Sequence, residues 1–88
     1  MLMGITLSIH VKGQASKRGI PEDGIIAILT GGSTATIPSK TDPEAVIVIG
    51  KYAEKIWGVV LNFNTLNVIT VRRASKKERR FYEQEIGN

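Results

Sequence analysis

Cysteine is absent from these 88 residues, histidine occurs once, at His10, and only five residues are aromatic. Without cysteine there are no disulfides, thiolate metal sites or thiol nucleophiles, which fits a reducing compartment. With one histidine, no two-histidine acid–base pair can form within one chain. No run approaches the ~18 apolar residues that a membrane-spanning helix needs. The opening MLMGITLSIHV lacks a basic n-region and a small-residue cleavage site, so it does not read as a signal peptide. A cytoplasmic protein with no membrane partner is the expectation. Acid is scarce too. Eight Asp and Glu stand against twelve Lys and Arg, giving a net charge of +4 and a pI near 9.7.

What is present suits one globular domain over residues 1–88, with 42% hydrophobic and 23% charged residues. A chain this short buries only about two-thirds of its unfolded surface, so a homodimer is one way to complete its core. Residues 5–7 alternate as a short strand. Ser8 suits the N-cap of a helix over residues 9–18, which Gly19 would stop. Pro21, Glu22 and Asp23 open a second helix, with Ile25, Ile26, Ile28 and Leu29 on its apolar face and Gly31-Gly32 at its end.

From Ser33 the period becomes that of strands. Residues 34–37 end at Pro38, as an edge strand does. Residues 45–49 are apolar on both faces and residues 50–54 read as a turn. Residues 55–62 place Trp57, Val59 and Leu61 on one face and Ile56 and Val60 on the other. After a turn at residues 62–65, residues 67–73 set Val68 and Thr70 against Ile69 and Val71. Ser75-Lys76-Lys77-Glu78 is a capping box for a last helix over about residues 76–85. The fold class is therefore α+β: two N-terminal helices, an antiparallel meander sheet of three to five strands, and a C-terminal helix.

The charge is concentrated. Six of the twelve basic residues, Arg72, Arg73, Lys76, Lys77, Arg79 and Arg80, lie within nine positions, opposed only by Glu78. Arg72 and Arg73 are consecutive on a strand and point to opposite faces. Lys76 and Arg80, four apart on a helix, share a face that Arg73 would join at the strand–helix junction. Such a patch suits the phosphates of RNA.

Two segments resemble known proteins. VITVRRASKKERRFYEQE, residues 68–85, resembles the end of the BrnT toxins, where a strand, a basic Ala-Ser/Thr step and a K-x-E-R-R-x-Y-E helix follow one another. The preceding AVIVIGKYAEKIWGVVLN is similar in kind to that family's central hairpin. His10, seven residues, then Arg18-Gly19-Ile20 and a helix resemble a related toxin-like domain family. Both belong to the RelE-like ribonuclease folds. Val11-Lys12-Gly13-Gln14 stands here where those proteins carry Ala-x-x-Arg.

The resemblance implies an endoribonuclease of the toxin–antitoxin type that cleaves mRNA, needs no metal or cofactor, and is held inactive by a cognate antitoxin protein. In that chemistry the ribose 2′-OH attacks phosphorus, so a proton acceptor, cations and a leaving-group donor are required. The catalytic candidates are His10, Arg73 and Tyr82. The RNA-binding candidates are Arg18, Arg72, Lys76, Lys77, Arg79 and Arg80. Tyr82 could equally pack its ring on the sheet, and Trp57 reads as core. The alternative expectation is a module of this fold that binds RNA or protein without cleavage.

Overall fold

The protein is described by a computed structural model covering residues 6, 7 and 9–86, with side chains described for residue 7 and residues 11–86. The chain runs β1 (Thr6–Leu7), α1 (Ile9–Arg18), α2 (Glu22–Thr30), β2 (Ala35–Pro38), β3 (Ala45–Tyr52), β4 (Lys55–Asn62), β5 (Asn67–Arg73) and α3 (Lys76–Ile86). This is the α+β order read from the periodicity: two helices, an antiparallel meander, a helix.

Helix α1 stops in a Schellman motif. Gly19 takes φ 87°, its N–H bonds to the Ser16 carbonyl, and the Ile20 N–H reaches the Ala15 carbonyl. That turn drops Ile20 into the core, where it is 1% exposed. Pro21 then serves as N-cap of α2, and its carbonyl accepts the N–H groups of Gly24 and Ile25. Glu22 and Asp23 occupy the first turn, facing the positive end of the helix dipole.

The strands form one sheet in the order β1-β5-β4-β3-β2. Every pairing among β2 to β5 is antiparallel, while the two residues of β1 run parallel to β5. No hairpin joins β1 to β5, so turn geometry does not fix the direction of that pair. On the first face, Val48, Trp57, Val59, Leu61, Val68 and Val71 meet Val11 and Ala15 of α1 and Ile25 and Ile28 of α2. On the second face α3 lies over a smaller cluster of Ala35, Ile49, Ala74 and Tyr82. The sheet is thus sandwiched between two helices on one side and one on the other.

Two local expectations are corrected. The turn expected at residues 50–54 is only Ala53-Glu54, and β3 continues through Gly50 to Tyr52, paired with Lys55. Gly50 marks a close approach of α2 rather than a turn, because a Cβ there would sit 2.7 Å from Ile28 Cγ2. The simple alternation expected in β5 is broken by a bulge opposite Val60 and Leu61. Val68 and Val71 therefore share the first face, both 0% exposed, and Ile69 is left open at 37%.

Candidate nucleic-acid interface

The site is organised by the step from β5 into α3. Ser75 caps the helix as the sequence predicts: its hydroxyl accepts the Glu78 N–H at 3.2 Å, and its own N–H donates to the Glu78 carboxylate at 2.9 Å. Glu78 does more than cap. Its two oxygens also accept both terminal nitrogens of Arg72, at 2.6 and 2.8 Å. The hydrogen bonds from Arg72 are the main reason the Glu78 carboxyl is held below its ordinary range, partly offset by burial. The same bonds raise the already basic Arg72 guanidinium.

This fork–fork pair turns the sole acid of the basic run inward. Glu78 is 8% exposed, whereas Lys76, Lys77, Arg79 and Arg80 are all exposed. Around the first two turns of α3 the solvent-facing charge is therefore entirely positive. It also opposes the helix dipole. Lys76 and Lys77 stand at the positive end and Glu83 and Glu85 near the negative end, an arrangement that costs a few tenths to about 1 kcal/mol per charge. Helix stability does not account for these cations.

Arg72 and Arg73 leave β5 on opposite faces, as expected. Arg73 carries its guanidinium 5.5 Å from the centroid of the Trp57 ring, on the face covered by α1 and α2. Trp57 itself is core, 1% exposed, with its indole N–H donated to the Tyr52 carbonyl at 3.1 Å. Arg18 is exposed in the last turn of α1. Thus Lys76, Lys77, Arg79 and Arg80 share one short helical segment, while Arg73 and Arg18 belong to the other layer and Arg72 is clasped by Glu78.

Tyr82 is placed as the packing reading requires. Its ring is 4% exposed beneath α3, and its hydroxyl donates to the Ser33 carbonyl at 3.3 Å. That position gives it the role of a core anchor joining α3 to the segment before β2. His10 falls in the first turn of α1, and its side chain lies outside the described residues. Helix α1 packs along β5, and the Thr70 hydroxyl donates to Gln14 at 2.6 Å. The helix bearing His10 is therefore on the Arg73 side of the sheet and away from Tyr82.

Sequence reasoning missed the second role of Glu78 and the groove that opens beside α3. The spacing from Arg72 to Glu78 carried the first signal, since a strand-end arginine just before a capping box falls within reach of its carboxylate. Compared with known protein families, curated proteins and solved structures, the chain matches none.

Proposed function

We propose that the chain is an RNA-contacting domain of the toxin-like ribonuclease type, gripping the phosphate backbone with the first two turns of α3. The observation that carries this reading is the inward turn of Glu78 onto Arg72, which leaves four exposed cations unopposed. Exposed Lys and Arg at a helix N-terminus meet phosphate both as point charges and through the dipole. In the finer reading the protein is a metal-independent endoribonuclease of the cytoplasm, restrained by a cognate antitoxin. His10 moves the proton of the 2′-OH or the leaving 5′-oxygen, and Arg73 neutralises the phosphorane.

A second reading, a grip without cleavage, is favoured by the commitment of two expected groups. Tyr82 spends its hydroxyl on Ser33 and Arg72 its fork on Glu78. One experiment separates the two. Purified protein is incubated with a defined transcript in chelator, and the 3′ ends of any fragments are analysed. Cleavage leaves 2′,3′-cyclic phosphate ends and is lost in His10→Ala, with RNA affinity kept within a few-fold. Intact RNA that is nonetheless bound, and released by Lys76→Glu with Arg80→Glu, selects the non-catalytic reading. Intact and unbound RNA sinks both.

A further inference from the structure

The two faces of the sheet are covered unequally. The first face carries α1 and α2, and their side chains close over its apolar columns. The second carries α3 alone, whose main contacts are with β2 and β3. Beside α3, over β4 and β5, a groove of about 640 Å³ remains, floored by Ile47, Val60, Ile69 and Phe81. Ile69 is one of only two large hydrophobic residues exposed among the described residues, and the β5 bulge is what leaves it there.

The rim is preformed. On one side the loop between β2 and β3 is held by its own bonds: Ser39 accepts from the Thr41 and Asp42 N–H groups, and Asp42 accepts from Glu44. That loop contributes Lys40 to the groove, together with one acid, Asp42. Lys77 of α3 also borders the groove, as does the Arg72–Glu78 pair, whose charges cancel.

We propose that this groove is the docking site of an amphipathic helix from another protein, aliphatic on its buried side and acidic along its flanks. A helix laid beside α3 would give the second face the same two-helix cover as the first and satisfy the layer rule. The floor is aliphatic apart from Phe81, which suits leucine, isoleucine or valine anchors at i, i+3, i+4 and i+7. Single-stranded RNA instead seeks several aromatic platforms. The charge selects acid. Lys40 and Lys77 border the groove, and the cations of α3 continue beyond it, so a partner with glutamates on its flanks is attracted. A second copy of this chain is disfavoured by the same charges, since its own exposed helix face is basic.

The test uses a synthetic 18-residue helical peptide with leucine at the i, i+3, i+4 and i+7 positions and glutamate on the flanks, titrated into the isotope-labelled protein. Saturable amide shifts are expected at Ile47, Val60, Ile69 and Lys77, with α1 unaffected. Ile69→Asp, at an exposed position and so compatible with folding, should weaken binding by about tenfold or more. Lys40→Glu with Lys77→Glu should reverse the charge preference towards a lysine-flanked version of the peptide. The proposal is overturned if a scrambled peptide of equal composition binds as well, or if the lysine-flanked version matches the acidic one on the parent protein. It is overturned too by shifts that map elsewhere or by the absence of binding. A single-stranded oligouridylate that shifts the groove residues when the peptide does not would make the groove an RNA site. A parent that runs as a dimer broken by Ile69→Asp would make the occupant a second copy.

Discussion

Arg72 and Glu78 face each other across the corner between the last strand and the last helix, joined by two hydrogen bonds of 2.6 and 2.8 Å. Their pairing fixes the angle at which α3 leaves the sheet, because the same carboxylate also accepts the Ser75 N–H that begins the helix. One side chain thus ties β5, the cap and α3 together. It also decides which charges face solvent.

The first prediction concerns this corner. Glu78→Gln keeps the shape and one acceptor but removes the charge, so it should destabilise the fold by about 1–2 kcal/mol at neutral pH, since Arg72 is one-third exposed. The folded-state pKa of Glu78 is lowered, so its contribution is present above the ordinary carboxylate range. It fades as pH falls through about 4 towards the lowered value. Urea unfolding at a series of pH values should show parent and variant converging in acid. A gap unchanged down to pH 3 would mean that the ion pair is not the cause.

Two glycines make opposite predictions. A Cβ at Gly50 would press on Ile28 Cγ2 at 2.7 Å and Thr34 Cγ2 at 3.1 Å, where α2 crosses β3. Gly50→Ala should therefore cost about 1–3 kcal/mol through overpacking. Gly13 lies mid-way along α1 with nothing within 4 Å of its added Cβ. Gly13→Ala should stabilise by about 0.5–1 kcal/mol, because alanine loses less backbone entropy in a helix. Thermal unfolding of both variants checks the pair of signs.

The β3–β4 hairpin carries strain that can be relieved. Its two-residue turn puts Ala53 at φ 53° and Glu54 at φ 63°, the left-handed values of a type I′ turn. Neither residue favours that region. Ala53→Asn with Glu54→Gly supplies the turn's preferred pair and should stabilise by about 1 kcal/mol. A lower midpoint in denaturant for the double variant would show that the turn is not a source of strain.

These residues also show what can be read along the chain and what needs the fold. Ser75 and Glu78 are legible as a cap because both partners lie within four positions, and Gly19 because helix ends have a local signature. Gly50 is not, since a turn glycine and a glycine under a crossing helix look alike until α2 is placed over β3. The bulge in β5 is invisible for a related reason: alternation in residues 67–73 is set by the partner strand, not by β5 itself. Tyr82 reads along the chain as a substrate contact or, rather more, as a core ring, and its burial with the hydroxyl 3.3 Å from the Ser33 carbonyl oxygen decides for packing. The basic run is plain in the sequence. Its division into a clasped Arg72, a ring-covering Arg73 and a free outer face on α3 depends on which way each side chain leaves the backbone.

That division yields the last prediction, on RNA. If the outer face of α3 grips three or four phosphates, the logarithm of affinity for a single strand should fall with the logarithm of salt at a slope of about −2 to −3. Lys76→Glu with Arg80→Glu should weaken binding by tenfold or more at low salt and flatten the slope by about one to two units, because two contacts become repulsions. Arg72→Gln should behave differently. Its guanidinium is already spent on Glu78, so affinity should stay within about a few-fold while stability drops. Freeing the Glu78 carboxylate next to Lys77 should lower affinity only slightly. Fluorescence anisotropy with a labelled oligoribonucleotide between 25 and ~300 mM salt measures all three proteins on one scale. A flat salt dependence in the parent, or an Arg72→Gln loss as large as that of the double reversal, would remove the outer face of α3 as the phosphate grip.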